Sequence, residues 1–331
     1  MMDWTDRHCR YFHRLFAPSA LLYTEMIVSA AIVRGHAARL LEHHPREHPM
    51  ALQLGGCDPV ELAQAARIGA EAGYDEINLN VGCPSDRVKS GAFGACLMLS
   101  PSLVAECVRS MREAVEVPVT VKCRIGIDDQ DSYEFFMEFV DQVVAAGVDA
   151  LIVHARAAIL GGLASNAQAL PGQPTRGLTP KENREIPPLK YDYVHRLKAA
   201  RPALPVVING GFTELPSIVA LAGGGLDGVM LGRAAYHNPV LLAEVERAVI
   251  NPAWRIPQPA EIIDDMVSYA RREAAVGVRL HSITRHMHGL MAGREGARAW
   301  RRFLSEVAAR PGALPETLYS ALPVLNTGLA A

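Results

Sequence analysis

The sequence predicts an α/β protein, a closed (β/α)8 barrel of the TIM type followed by a small all-helical region. Three observations carry this. Short strands alternate with amphipathic helices from about residue 21 to residue 231, at roughly 25 to 45 residues per unit, the rhythm of parallel βα units. Polar or glycine-rich residues stand at the carboxyl end of strand after strand, where such a barrel gathers its reactive groups. From about Val240 no further strand is legible and only helical periodicity remains. The division expected is a catalytic barrel over 1–245 and a helical domain over 246–331, with Asn251-Pro252 and Pro257-Gln258-Pro259 as linker signals.

The elements follow in order. Cys9, Phe12 and Phe16 recur at helical spacing in Thr5 to Phe16, and Pro18 closes that helix. Leu21 to Thr24 is a short strand, and Ser29 to Leu41 a helix. His43-His44-Pro45-Arg46-Glu47-His48 is a polar loop, because Pro45 breaks any helix that would align its three histidines on a metal. Met50 to Leu54 is a strand, and Pro59 to Ala72 a helix with Asp58 as N-cap and Pro59 in its first position. Strand 76–80, helix Pro101 to Val115, strand Pro118 to Cys123, helix Ser132 to Ala146 and strand Ala150 to Val153 continue the pattern. An irregular stretch leads to the helix Tyr191 to Ala200, the strand Val206 to Ile208, a helix from about Leu215 and the strand Gly228 to Leu231. Helices are expected at Glu261 to Ala275, Ile283 to Ala309 and Glu316 to Leu325.

Composition excludes several classes. Half of the 331 residues are apolar, enough for a sizeable core, and a net charge of −2 offers no global field to a polyanion. Six scattered cysteines fit a reducing compartment rather than a disulfide framework. There is no run of about 18 apolar residues to span a membrane, and Met1 to Arg14 is too charged for a signal peptide. The expectation is a cytoplasmic protein.

The stretch Glu76 to Asp86 holds the chemistry. Ile77 and Leu79 alternate with polar residues, then Gly82 and Pro84 stop the strand and leave Cys83 on a loop at its carboxyl end. A thiol there can move a proton, attack as a nucleophile or bind a metal. Neither Cys57 nor Cys96 forms a Cys-x-x-Cys pair with it, which disfavours the metal. The same barrel end gathers Gln53, Asn80, Lys122, His154, Asn209-Gly210-Gly211 and Gly232-Arg233. Two consecutive glycine-rich strand ends form the usual phosphate site of this fold. Gln53 can satisfy the paired edge of a heterocycle, Lys122 supplies fixed positive charge, and His154 can donate or accept a proton. Taken singly, Lys122 could be a snorkelling strand end and His154 a core residue. Gly223-Gly224-Gly225-Leu226-Asp227-Gly228 fits Gly-x-Gly-x-x-Gly but precedes a strand, so it is no dinucleotide fingerprint. His281, His286 and His288 lack metalloprotease spacing and are expected at the surface or facing RNA.

These residues carry a family resemblance. Asp3-Trp4-Thr5-Asp6-Arg7, Gln53-Leu54-Gly55-Gly56, Asn80 to Ser85, Val121 to Gly126, Ile152 to Arg156, Asn209-Gly210-Gly211 and Gly232-Arg233 occur in the order found in the tRNA-dihydrouridine synthases. Lys181 to Pro188 and His281 through His286 resemble the A-type branch in particular. The resemblance implies an enzyme with FMN, reduced by NADPH, that saturates the C5–C6 bond of uridine in tRNA, at U20 and U20a for that branch. Cys83 matches the acid that protonates C5 once hydride reaches C6. Gln53, Lys122 and His154 match contacts to the flavin ring. Asn209, Gly210, Gly211, Gly232 and Arg233 match contacts to its phosphate, and Met1 and Met2 match part of the first flavin loop. Asn80, Lys181, Arg184, Arg298 and Arg301 match tRNA contacts. No metal and no protein partner is implied, and the expected state is a monomer.

Two departures stand out. An additional Gly- and Pro-rich segment, Ala164 to Gly177, precedes Lys181. Met1 also falls inside the family's first flavin loop, so only seven strands are legible, near 21, 50, 76, 118, 150, 206 and 228. A start upstream is therefore expected, with the strands near 21 and 228 flanking a gap and a longer form holding FMN better. Two other readings share the shell: an FMN barrel acting on a free pyrimidine, and a tRNA-binding protein without catalysis.

Overall fold

The computed structural model describes residues 1–85, 93–161 and 177–321. Eight strands run parallel in one curled sheet: β1 (Leu22–Tyr23), β2 (Ile27–Val28), β3 (Met50–Gly55), β4 (Glu76–Val81), β5 (Val119–Arg124), β6 (Ala150–His154), β7 (Val206–Asn209) and β8 (Gly228–Met230). From β3 to β8 each strand pairs with the next. The short pieces β1 and β2 both pair with β3, so they share one position, and the second of them was not foreseen. The sheet thus has seven positions, with β1 and β8 at its edges. Among the described residues no strand joins those edges.

Residues alternate across each strand, and in a barrel both faces are covered. Ile77, Leu79 and Val81 of β4, with Leu52 and Leu54 of β3, are fully buried toward the surrounding helices. A Cβ on Gly69, in the helix Pro59–Glu71, would lie 2.4 Å from Leu52 Cδ2 and 3.1 Å from Ile77 Cδ1, so this helix seats directly on that face. The other face of β4 carries Glu76, Asn78 and Asn80, and that of β5 carries Thr120, Lys122 and Arg124. The barrel is therefore apolar outside and polar within. Asp58 Oδ1 caps the helix Pro59–Glu71 by accepting from the Val60 and Glu61 amides, and Ser132 caps Tyr133–Ala145 through the Phe135 amide.

Three helical expectations need correction. Ser29 to Leu41 is two helices, Ser29–Arg34 and Ala37–Leu40, broken at Gly35. Ile283 to Ala309 is not one helix. It divides into Leu280–Thr284, a 3-10 turn Met287–Gly289, the helix Ala297–Phe303 and a π-helical turn Leu304–Ala308. Gly293 and Gly296 take φ of +70° and +81°, a left-handed backbone that no helix contains, and so interrupt its apolar periodicity. The described part of the last expected helix is a 3-10 helix, Pro315–Ala321, and its remainder lies outside the described residues.

A second apolar core lies beyond the barrel. It joins Ile262, Ile263, Met266, Tyr269, Ile283, Trp300 and Leu304 to Tyr11, Phe12 and Phe16 from the helix Arg7–Arg14 and its end. Tyr11 stacks on Tyr269 at 4.0 Å, and His8 Nδ1 lies 2.7 Å from the Tyr269 hydroxyl. Asp6 anchors the seam. It caps the Arg7–Arg14 helix at the Cys9 amide and meets Arg285 Nη2 at 2.5 Å and buried His286 Nε2 at 3.0 Å. His286 also lies 3.1 Å from the Tyr236 hydroxyl, so it is a structural residue and not the surface histidine expected. Burial alone would raise the Asp6 carboxyl, but His286, the Cys9 amide and Arg285 hold it well below the usual carboxylate range. A depressed carboxyl adds stability above the ordinary carboxylate range and loses it as pH falls through the folded value. Asp6→Asn, which keeps the cap but not the charge, is expected to cost about 2–3 kcal/mol at pH 7 and to flatten the acid limb. Urea unfolding at pH 7 and pH 2 measures both.

Candidate active site

The site is an arc of neighbouring strand ends. Asn80 is in register with Lys122, Arg124 with His154, His154 with Asn209, and Asn209 with Met230. Cys83 follows β4 directly and is half-buried. Asn80 Oδ1 accepts from the Gly82 and Cys83 amides at 3.0 and 2.9 Å, folding the loop back over the strand end. The Cys83 carbonyl accepts from the Ala95 amide at 3.0 Å, and its thiol lies 3.5 Å from Ser85 Oγ. Asp86, the last residue of the expected stretch, lies outside the described residues. Asn80 is buried, and its Nδ2 donates to Gln53 Oε1 at 2.8 Å. Its side chain thus holds the Cys83 loop and Gln53 rather than standing free at the surface.

Lys122 and His154 line the floor. Burial, aided by the nearby Arg124 charge, brings the Lys122 ammonium down to about 8. Burial, then Arg124, Lys122, Arg156 and Arg184, holds His154 well below its ordinary value, so its imidazole is neutral. Among the described residues neither side chain has a hydrogen-bonding partner. Arg124 lies within the Val121 to Gly126 motif. It is buried, and it donates to the carbonyls of Gly82 at 2.9 Å, Ala157 at 2.9 Å and Asn183 at 3.1 Å, tying the Cys83 loop to the two loops after β6. Its place two residues beyond Lys122 on the inward face was the available signal.

The glycine turns adjoin His154. Gly210 and Gly211 have φ of +118° and +80°. A Cβ on Gly210 would lie 2.8 Å from His154 Cδ2, and one on Gly211 2.7 Å from the Tyr191 hydroxyl, which itself donates to Gly210 O at 2.7 Å. Asn209 Nδ2 donates to Met230 O at 2.8 Å and so couples this turn to the end of β8. Beyond β8, Gly232 faces open space save for Met1, whose Sδ is 3.7 Å from its Cβ position. Met1 and Met2 are exposed at this rim. Arg233 pairs with Glu185 at 2.7 Å.

A family model described as dihydrouridine synthase (Dus) matches residues 1–323. The chain belongs to the dihydrouridine synthase family. A relative named tRNA-dihydrouridine(20/20a) synthase from Xanthomonas axonopodis pv. citri is 54% identical over 329 residues, covering 99% of this chain and 92% of its own. Like-named proteins from Shewanella oneidensis and Vibrio cholerae are 52% and 50% identical, covering 100% and 97% of this chain and 94% of each of theirs. This strand-end site suits the flavin on which its family generally depends. A lysine with no hydrogen-bonding partner among the described residues and a neutral histidine face it, and two left-handed glycines leave room where any Cβ would crowd His154 or Tyr191.

The remaining predicted residues of this dihydrouridine synthase lie farther out. Lys181 and Arg184 are exposed around the 3-10 turn Glu182–Arg184. Buried Asn183 secures that turn, its Oδ1 accepting from the Ile159 amide at 2.7 Å and its Nδ2 donating to Leu178 O at 2.7 Å. The extra segment Ala164 to Gly177 lies outside the described residues except for Gly177. Its stems meet, because the Leu178 amide donates to Ile159 O at 2.9 Å. Arg298 and Arg301 are exposed on the helix Ala297–Phe303, turned outward because buried Trp300 and Leu304 take the core face. Trp300 Nε1 donates to Met287 O at 2.8 Å and fixes that orientation. Among the described residues no group of His, Cys, Asp or Glu could hold a metal, and no helix is long and apolar enough to cross a membrane.

Proposed function

We propose that this chain is a cytoplasmic, monomeric tRNA-dihydrouridine synthase that uses FMN and NADPH to reduce the C5–C6 bond of U20 and U20a in the tRNA D-loop. The observation that carries the reading is the Cys83 loop, held by Asn80 at a strand end in register with Lys122, on the same arc of strand ends as the glycine turns. Bound FMN would supply the reducing equivalents taken from NADPH. Gln53, Lys122 and His154 would hold its ring, Lys122 balancing negative charge as a cation and His154 donating as a neutral imidazole. The Gly210-Gly211 and Gly232-Arg233 turns, with Asn209 bracing them and Met1 and Met2 at the rim, would hold its phosphate. Cys83 would deliver the proton to C5. The name and near-complete coverage of the relatives support the same substrate.

Transfer RNA from cells devoid of dihydrouridine, incubated with the protein and NADPH, should gain dihydrouridine at positions 20 and 20a by mass mapping. Reduction of free uridine or dihydroorotate with tRNA left unmodified would reject the reading. The helical region from residue 246 is proposed to bind tRNA, through Arg298 and Arg301, together with Lys181, Arg184 and the Asn80 strand end. Arg298→Ala with Arg301→Ala is expected to weaken tRNA binding about tenfold and to reduce the slope of log K against log salt by about 1 to 2. Filter binding between 50 and 200 mM salt checks it, and an unchanged slope would return both arginines to a solvated face.

A further inference from the structure

Below the site, Glu76, Thr120 and Asn78, which the proposed chemistry does not use, join Gln53 and Asn80 in one continuous chain of hydrogen bonds. Glu76 Oε1, at the far end of β4, accepts from the Tyr23 hydroxyl at 2.7 Å and the Thr120 hydroxyl at 2.5 Å. Thr120 Oγ accepts from Asn78 Nδ2 at 2.8 Å. Asn78 Oδ1 accepts from Gln53 Nε2, and Gln53 Oε1 from Asn80 Nδ2, both at 2.8 Å. Asn80 Oδ1 then receives the Gly82 and Cys83 amides. Strand register makes this possible, because Gln53, Asn78 and Thr120 are lateral neighbours on β3, β4 and β5.

Every bond in the chain points the same way. A side-chain amide has a donor end and an acceptor end, so each of Asn78, Gln53 and Asn80 could sit in two flips. The oxygen of Glu76 can only accept here, which commits the Thr120 hydrogen to it and turns a Thr120 lone pair toward Asn78. Asn78 must then present its NH2 to Thr120 and its oxygen to Gln53, and the same logic passes to Asn80. A reversed Asn80 would confront the Gly82 and Cys83 amides with its own N–H groups and leave buried donors unpaired. The polarity of the ladder is thus pinned at both ends, by the donor-only amides of the Cys83 loop and by the accepting Glu76 at the opposite end of β4.

We propose that Glu76, Thr120 and Asn78 are positioning residues for uridine reduction, fixing through Gln53 and Asn80 the orientation in which the Cys83 loop is held. This rests on the reading of Cys83 as proton donor. Thr120→Val keeps the side-chain shape and removes the hydroxyl, whereas Thr120→Ser keeps the hydroxyl. Two readouts apply to the FMN-loaded protein: iodoacetamide alkylation of Cys83, resolved by peptide mass spectrometry with half-buried Cys57 and Cys96 as references, and kcat and KM for tRNA. Thr120→Val should speed Cys83 alkylation about fivefold with Cys57 and Cys96 unchanged. It should lower kcat about tenfold with KM within about twofold, and Thr120→Ser should match the parent. Parent values in Thr120→Val, or all three cysteines quickening together, would overturn the proposal. If Thr120→Val proves insoluble, Glu76→Gln serves. Its amide can turn an NH2 toward Thr120 and free the ladder to reverse, so the same Cys83-selective change is expected and its absence would be decisive against it. Loss of the proton-donor reading is seen separately, as full turnover in Cys83→Ala.

Discussion

Replacing Cys83 by alanine is expected to lower uridine reduction in tRNA by about 10²–10⁴-fold while leaving reduction of the bound flavin by NADPH within about twofold. The separation follows from where the thiol sits. It occupies a loop held by Asn80 and Arg124, whereas Lys122, His154 and the glycine turns face the cofactor pocket from other strands. Nothing in the pocket floor depends on the Cys83 side chain, so the cofactor should stay bound. A proton must still reach C5, and solvent can supply it only slowly, which leaves residual activity. Anaerobic stopped-flow of the two half-reactions reads both numbers. Parent-like oxidation of the reduced flavin by tRNA in the variant would show that another group donates the proton.

Gly210→Ala should cost the protein its flavin. The φ of +118° at Gly210 is strained for any residue with a Cβ, at about 1–3 kcal/mol. The new methyl would also stand 2.8 Å from His154 Cδ2 and 3.0 Å from Leu189 Cδ2, forcing the histidine ring from the pocket floor. Retention of FMN is expected to fall about 10- to 100-fold, since each 1.4 kcal/mol lost is a factor of ten. Gly73→Ala is the matched control. Gly73 has φ of +95° with nothing within 4 Å of its Cβ position, so it carries strain without crowding the site. Flavin content after gel filtration distinguishes them, and equal retention by the two variants would sink the argument.

The strand-end residues were legible because a β-strand repeats every two residues and a parallel barrel sends its chemistry to one end. That period alone places Gln53, Asn80, Lys122, His154 and Asn209 on neighbouring strand ends. The same alternation hid the ladder. Alternation marks Glu76 and Asn78 only as polar strand residues, and it does not say that they meet Thr120, because strand neighbours and register are set by the closed sheet. Arg124 was hidden for a related reason, since its partners are three backbone carbonyls from distant loops and a carbonyl leaves no mark in sequence. The breaks at Gly293 and Gly296 were misread because apolar periodicity runs through them and a left-handed backbone does not. His286 could not be placed without Asp6, its partner 280 residues away.

The seam between the two cores has a consequence for how the chain is made. His8 meets Tyr269 across 261 residues of sequence, Phe16 meets Trp254 across 238, and Asp6 meets Arg285 across 279. At roughly 5–20 residues per second, a ribosome needs on the order of 10–50 s to supply those partners. Throughout that interval the face bearing Tyr11, Phe12 and Phe16 has nothing from the second core to cover it. Contacts of such sequence separation also form late and slowly, since a long loop must close before they repay it. The helix Arg7–Arg14 therefore waits longest for its partners and is among the last segments to be packed.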